Sequence, residues 1–196
     1  DHLRPRRRRG RGPTRSGGRV RRGIEPDREE EMPSIDSAFV QLGYVTNDLD
    51  GARAYFAATM SVPDFHIWNG ADVHMELYGK PAHAVLDLGF AWRKGTMIEL
   101  IKPVSGAIDV YMPGIEGPEF GLKLHHIGQG VAGTEAEFDR FLEAGIARGW
   151  PLVNINRAAM GSYTLLDSRK ENQGLYFEYL WNNEGGLDFF SKIPSF

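Results

Sequence analysis

Four polar side chains stand in stretches of sequence that are otherwise apolar and rich in β-forming residues. Glu99 and Glu178 each lie inside such a stretch, and Gln41 and His126 each stand near the start of another. Placing a carboxylate in an apolar strand costs free energy unless the carboxylate is paired or bound to a cation. These four residues are therefore the first candidates for a functional site.

The chemistry that this set could perform is the binding of one divalent metal ion. Side chains alternate along a strand, so Glu99 shares a face with Met97 and Ile101, and Glu178 shares a face with Tyr176 and Leu180. If both faces point inward, the carboxylates meet His126 and Gln41. Two carboxylates, an imidazole and an amide oxygen suit a borderline or hard divalent ion.

A half-exposed strand is the more common setting for any one of these residues taken alone. Four of them at matching positions of two similar units favour a site. His125, the neighbour of His126, is expected to point the other way, behind the ligands or at the surface. Three further histidines are expected at the surface, with the first of them able to border a pocket: His66, His74 and His83.

The elements that position the four residues form two similar units, each with the order βαβββ. In the first unit a strand over 39–45 precedes a helix that begins at Asp48, and residues 69–82 are predicted to form a loop. In the second, Thr134 and Glu137 predict a capping box at the start of a helix. The buried stripe predicted for that helix consists of Phe138, Phe141, Leu142 and Ile146.

This internal repeat predicts an α+β fold in which two βαβββ modules form a concave, barrel-like mixed sheet. The predicted division of the chain is a disordered arginine-rich arm over 1–36, a first module over 37–103, a linker over 104–121, a second module over 122–183 and a C-terminal tail over 184–196.

The charge of the chain is unevenly distributed. Residues 1–31 contain 11 basic and 6 acidic residues, a net charge of +5, and the remainder carries 12 basic and 20 acidic residues, a net charge of −8. Two interpretations of this arm stay open: a nucleic-acid-binding or targeting segment, and, favoured, sequence upstream of an initiator at Met32. Nucleic acid is not an expected partner, because the arginines lack interleaved aromatic residues.

The amino-acid composition excludes several kinds of site and several classes of protein. The chain has no cysteine, which excludes disulfides, thiolate ligands and a cysteine nucleophile. No apolar run approaches the roughly 20 residues that cross a bilayer, and no apolar segment of a secretory signal follows the basic arm. A cytoplasmic protein without membrane contact is expected.

Four motifs together resemble the vicinal oxygen chelate superfamily, which includes glyoxalase I, methylmalonyl-CoA epimerase, extradiol dioxygenases and bleomycin-resistance proteins. The resemblance covers about residues 37–183. The motifs are the opening strand and helix start of Gln41 to Asp50, the Glu-Leu-Ile-x-Pro run of Met97 to Pro103, the His-His-Ile-Gly run of Leu124 to Gly128, and the closing strand of Tyr176 to Tyr179.

The resemblance implies that Gln41, Glu99, His126 and Glu178 bind one divalent ion, as in glyoxalase I of the zinc-dependent type. Zinc is the first choice, with nickel, cobalt, manganese or iron as alternatives. It implies lyase or isomerase chemistry on a small-molecule substrate through a metal-stabilised enediolate or enolate. Glu178 is then the first choice as the base, and Glu99 is its counterpart. A homodimer is a further implication of the family.

The sequence departs from glyoxalase I where that enzyme holds glutathione. The matching positions are the apolar Val45, Pro103 and Leu122, so glutathione is not expected as a substrate. A small apolar or aromatic oxygenated substrate is expected instead. The pocket residues predicted for it are Trp92, Met97, Ile101, Tyr111, Met112, Tyr163 and Tyr176.

Two other functions stay open at this point. An extradiol-type ring-cleaving dioxygenase uses two histidines and one carboxylate around iron, whereas this chain offers Gln41 in place of the first histidine. A non-catalytic binding or resistance protein is the other alternative, although such relatives usually lack the metal ligands that are present here.

Overall fold

The computed structural model describes residues 40–196, so the predicted arm and the first three residues of the first module lie outside the described residues. Eight strands and three helices follow one another along the described chain. They are β1 Val40–Thr46, α1 Leu49–Met60, β2 His66–Leu77, β3 Lys80–Arg93, β4 Thr96–Gly106, β5 Leu122–Val131, α2 Glu135–Ala147, β6 Leu152–Ala158, β7 Gly161–Leu166, β8 Tyr176–Asn182 and α3 Glu184–Ser191.

The eight strands close into one mixed barrel in the order β1-β4-β3-β2-β6-β7-β8-β5. Each module contributes four consecutive strands, with its first strand parallel to its last: β1 to β4 and β5 to β8. The modules meet at two antiparallel seams. The β1–β5 seam pairs seven residues of β1, whereas the β2–β6 seam pairs two residues of β2. The predicted α+β fold with two βαβββ modules is confirmed.

The two module helices pack on the outside of the barrel. Phe56 and Ala52 of α1 are buried against Ile98 and Leu100, the residues of β4 that point outward. Phe138 and Leu142 of α2 are buried in a similar layer over β7 and β8. The alternate residues of β4 therefore point into the barrel, as strand periodicity predicts.

The predicted loop over 69–82 is wrong. These residues form most of a β-hairpin, in which β2 turns at Tyr78 and Gly79 into β3, and both turn residues have positive φ. Buried Ala71 and Met75 alternate with exposed polar residues along β2. The polar residues stand on the solvent side of a strand that is covered on one face only.

Two details of α2 also differ from prediction. Thr134 is the N-cap, but its side chain makes no capping hydrogen bond, and Glu137 pairs with Arg140 instead. Ile146 is exposed and Phe141 is half-buried, so only Phe138 and Leu142 of the predicted stripe are buried.

Two segments outside the modules pack against the barrel interior. Val110, Tyr111 and Ile115 of the linker are buried in the main core. The predicted C-terminal tail contains α3, which begins at its N-cap Asn183 and packs Phe189 and Phe190 against the same core. None of the helices of residues 40–196 is both long enough and apolar enough to span a bilayer.

Candidate metal centre

The four predicted ligands stand on four neighbouring strands, β4, β1, β5 and β8. Pairing places Gly43 of β1 between Glu99 and His126, and Gly128 of β5 between Gln41 and Glu178. A glycine therefore separates the members of each ligand pair, and the parallel first and last strands of each module bring the pairs together.

These two glycines provide space rather than unusual backbone conformation, since neither has a positive φ. A Cβ atom on Gly43 would lie 1.9 Å from Cε1 of the His126 ring. A Cβ atom on Gly128 would lie 2.9 Å from Cβ of Gln41 and 3.1 Å from Oε2 of Glu178. Any other residue at either position would occupy the volume that the candidate ligands use.

The polar atoms of the four residues converge around the His126 ring. Nε2 of His126 lies 3.4 Å from Oε2 of Glu99 and 3.3 Å from Oε2 of Glu178. The Gln41 amide donates to Oε2 of Glu99 at 2.7 Å and lies 3.5 Å from Nε2 of His126. One ligand atom from each of Glu99, His126 and Glu178 lies within 4.8 Å of the other two.

These separations fit a shared divalent ion. Ligand atoms about 2.0–2.2 Å from one ion lie about 2.8–3.6 Å from each other, depending on the geometry. Within residues 40–196, Oε1 of Gln41 and Oε2 of Glu178 are buried without a hydrogen-bond partner. Glu178 is within ion-pair distance of His126, but the approach lacks hydrogen-bond geometry. Unpartnered buried oxygens are costly, and coordination would satisfy both.

The protonation of this cluster reflects burial and mutual charge. Burial by itself lowers the pKa of His126, but attraction to the carboxylate of Glu178, and then to that of Glu99, raises the pKa to about 10. Burial raises the pKa of the Glu178 carboxyl, and the neighbouring His126 opposes that shift. The two carboxylates around His126 therefore favour a positive charge at this position, which a proton or a metal cation would supply.

His125 lies behind the cluster and not at the surface. Its Nδ1 is 3.0 Å from Nδ1 of His126, and its Nε2 is 3.1 Å from the carbonyl oxygen of Val110. Burial, and then the charge of His126, lowers the pKa of His125 to about 3. The ring is therefore neutral at ordinary pH.

A β-bulge explains why two consecutive histidines are both buried. Gly43 pairs with His126 whereas the next residue, Tyr44, pairs with Leu124, which leaves His125 as the extra residue of β5. Simple alternation would send His125 to the opposite face from His126. Local residue patterns carry no signal for this bulge, because it depends on pairing with β1.

A cavity of about 210 Å³ extends from the candidate ligands through the barrel. Gln41, Glu99, His126 and Glu178 all line it. Its other walls are mainly apolar and aromatic, and no lysine or arginine of residues 40–196 contributes to them. Burial raises the pKa of Tyr111 and the pKa of Tyr163 well above the ordinary value for a phenol. Both phenols in this cavity are therefore protonated at neutral pH.

Three of the seven predicted pocket residues line the cavity, and four do not. Ile101, Tyr111 and Tyr163 line the cavity. The other four do not: Met97 and Tyr176 are buried in the core, Trp92 is partly buried and donates from its indole nitrogen to the Phe190 carbonyl, and Met112 is half-buried.

Several cavity residues were not predicted from the sequence. Phe189 and Phe190 of α3 form one wall, and Asn156 and Ser162 contribute polar groups. The apolar residues at helical spacing after Asn183 could have indicated α3. His66, His74 and His83 are all exposed, as predicted, and His66 also packs edge-on against Phe189 of the cavity wall.

No protein-family model and no curated protein sequence matches this chain. Three similar solved structures have TM-scores below 0.5. A methylmalonyl-CoA epimerase in complex with methylmalonyl-CoA and NH4+ is 17% identical with a TM-score of 0.48, covering 76% of this chain and 96% of that one. The epimerase of Mycobacterium tuberculosis is 15% identical with a TM-score of 0.48, covering 75% and 89%. A hypothetical protein from Bacillus halodurans C-125 is 14% identical with a TM-score of 0.47, covering 74% and 93%. We therefore infer function from the geometry of the site.

Proposed function

We propose that this chain is a divalent-metal-dependent enzyme of the vicinal oxygen chelate superfamily, with lyase or isomerase chemistry of the glyoxalase or epimerase kind. One observation carries the proposal. Glu99, His126 and Glu178 bring ligand atoms within 4.8 Å of one another at the wall of an apolar cavity. Gln41 would complete the set through its amide oxygen, after rotation of an amide whose nitrogen now faces Glu99.

The residues of the site suit proton transfer next to a carbonyl group. A divalent ion in this position, with zinc as the first choice, supplies Lewis-acid stabilisation of negative charge that develops on a substrate oxygen. Glu178 lines the cavity, its Oε2 lacks a hydrogen-bond partner among residues 40–196, and burial raises the pKa of its carboxyl group. It is the base that removes the C–H proton, and Glu99, which the Gln41 amide holds, is its counterpart.

The cavity also favours a class of substrate. Leu86, Leu88, Phe90, Leu165 and Phe189 are among its walls, and no basic side chain of the described residues lines it. A carboxylate or phosphate group inside this cavity would lack a cationic partner apart from the ion. We therefore propose a small, uncharged, apolar or aromatic substrate with adjacent oxygens. Glutathione conjugates are disfavoured for the same reason.

A ring-cleaving dioxygenase fits the site less well. The cluster contains one imidazole and two carboxylates, whereas that chemistry uses two imidazoles and one carboxylate. The second histidine nearby, His125, directs its ring nitrogens at Val110 and His126 and not at the carboxylates. Homodimer formation and a cytoplasmic location stay predictions from the sequence.

The test compares the native chain with Glu178→Gln. We expect about one equivalent of divalent metal in the purified native protein and a substantial loss of metal in the variant, because the amide carries no charge. Glu143→Gln is the matched control, since Glu143 is exposed on α2. Elemental analysis with circular dichroism separates loss of metal from loss of fold.

Activity is then measured with three substrate groups, namely hemithioacetals of 2-oxoaldehydes, acyl-CoA esters and aromatic diols. Metal-dependent exchange of the acidic C–H proton with deuterated solvent supports the proposal, whereas oxygen consumption with a catechol supports a dioxygenase. A folded native chain that holds no metal after incubation with zinc, nickel, cobalt, manganese or iron would overturn the proposal. A chain that binds metal and aromatic ligands without turnover would indicate a binding protein.

A further inference from the structure

His125 makes two polar contacts that connect the backbone of the linker to the metal-binding cluster. One ring nitrogen, Nε2, lies 3.1 Å from the carbonyl oxygen of Val110. The other, Nδ1, lies 3.0 Å from Nδ1 of His126. The linker, the bulged residue of β5 and the candidate ligand thus form one chain of hydrogen bonds.

The direction of each hydrogen bond follows from the chemistry of its partners. A carbonyl oxygen only accepts, so Nε2 of His125 must carry a hydrogen and donate to Val110. In a neutral imidazole the other nitrogen is then an acceptor. Nδ1 of His125 accordingly accepts, and Nδ1 of His126 donates to it. The remaining nitrogen of a neutral His126, Nε2, is left with its lone pair.

That lone pair points at the candidate metal position. Nε2 of His126 is the atom that lies within 3.4 Å of both carboxylates and 3.5 Å from the Gln41 amide. A lone pair that faces two carboxylates is unfavourable unless a cation lies between them. The hydrogen-bond chain therefore selects the tautomer that a metal ligand needs.

We infer that His125 is a positioning residue that fixes the tautomer and ring orientation of His126, and so sets the affinity of the site for its metal ion. This inference rests on the metal site proposed above. The His125 ring nitrogens contact His126 and Val110 and not the two carboxylates. The proposed role differs from simple packing because it requires a hydrogen-bond acceptor at Nδ1 of His125.

The surroundings of His125 hold its ring in one orientation. Its centroid lies 4.8 Å from the ring of Tyr176 and 5.3 Å from the ring of Tyr111. Tyr111 and Val110 belong to the linker, and both are buried in the core. The linker therefore contributes both the carbonyl acceptor and one of the flanking rings.

The experiment compares two substitutions that separate packing from hydrogen bonding. His125→Phe keeps a ring between the two tyrosines but removes both nitrogens, and leaves the Nδ1–H group of His126 buried without an acceptor. His125→Asn places an amide oxygen near the position of Nδ1 and keeps an acceptor. His83→Asn is the control, because His83 is an exposed histidine that does not line the cavity.

Zinc affinity is measured by competition with a chelator, and folding is checked by thermal unfolding. We expect His125→Phe to lower the zinc affinity about 10- to 100-fold, the usual effect of removing the partner of a ligating histidine. His125→Asn should restore most of that loss, and His83→Asn should match the native protein. Nitrogen-15 NMR of the zinc-loaded native protein should find His125 protonated at Nε2 and His126 protonated at Nδ1.

Separate results overturn the inference and the proposed function. If the native chain binds zinc and His125→Phe binds it equally well, the inference is wrong and the metal site stands. An NMR spectrum that shows His125 protonated at Nδ1 alone would also contradict the inference and leave the metal site standing. If the folded native chain binds no zinc or other divalent ion, the proposed function and the inference both fail.

Discussion

His126 is the residue at which a proton and the proposed metal ion would compete. In the metal-free cluster, Glu178 and Glu99 outweigh the effect of burial and raise its pKa to about 10. A metal ion must take the Nε2 position that this proton occupies. Metal binding and proton release are therefore coupled at a single atom.

The pH dependence of the metal-free protein follows from this shift. The ordinary pKa of histidine is about 6.5, so from there to about pH 10 folded His126 holds a proton that the unfolded chain has lost. The stabilisation is complete below about pH 6.5 and is lost as the pH rises toward 10. The raised pKa of Glu178 acts in the same direction.

We therefore expect the melting temperature in the presence of a chelator to fall between about pH 6.5 and pH 9. Zinc affinity should rise over the same interval, because fewer protons compete for Nε2. Differential scanning calorimetry and chelator competition provide the two measurements. A melting temperature that rises with pH in the metal-free protein would contradict the protonation of His126 described above.

At the scale of the elements, the spacing of the ligands depends on glycine at two positions of the strands. Gly43 faces the His126 ring from β1, and Gly128 stands between Gln41 and Glu178 on β5. Each glycine follows its ligand by two residues, so it points to the same face of the strand as that ligand. The Gln-x-Gly and His-x-Gly spacings are thus part of the site.

Gly43→Ala tests this requirement. The new methyl group would overlap the His126 ring, so we expect a loss of zinc binding and a destabilisation of about 1–3 kcal/mol, as for other overpacked cores. Gly89→Ala is the matched control, because its Cβ would approach only one atom closer than 3.5 Å, the terminal Cδ1 of Ile67 at 3.2 Å. Urea unfolding and metal content are the readouts. Normal zinc binding by Gly43→Ala would show that the ring has another stable position.

The elements differ in how far their sequences determine them. Strand alternation is sufficient to place Glu99 and Glu178 on inward faces, because β4 around Glu99 and the whole of β8 pair with their neighbours without a register shift. It failed at His125, where a bulge shifts the register, and register depends on the neighbouring strand β1. Strand alternation is also present in β2, but there the exposed Asp72, His74 and Glu76 resemble loop residues, so the pattern indicated a loop.

At the scale of the whole molecule, the fold class and the convergence of four candidate ligands could be predicted, since the repeat of two modules specifies both. The shape of the cavity could not be predicted from local patterns. Its walls come from segments distant in sequence, such as Tyr111 of the linker and Phe189 of α3. Only long-range packing brings these segments inside the barrel, and residue spacing carries no signal for it.

The two seams of the barrel have different consequences for its motion. At the β2–β6 seam only Glu76 and Leu77 of β2 are paired, and the Tyr78 amide donates one further hydrogen bond to the Val153 carbonyl. The candidate ligands lie around the opposite seam, between β1 and β5. Opening of the short seam breaks these backbone bonds and two side-chain bonds, from Asn156 to the His74 carbonyl and from Asn154 to Met75, and it leaves the ligands in place. The barrel should therefore open locally on the side opposite the candidate metal site.

Native-state hydrogen exchange tests this expectation. The Tyr78 amide should exchange through a local opening of low free energy, and zinc should leave its rate unchanged. The amides of β1 and β5 should exchange more slowly and gain protection when zinc binds, since binding stabilises the state in which this seam is closed. Equal protection of both seams by zinc would mean that the barrel opens only as a whole. If zinc protects only the β1–β5 seam, the short seam is an opening through which ligands and solvent would exchange while an ion stays at the candidate site.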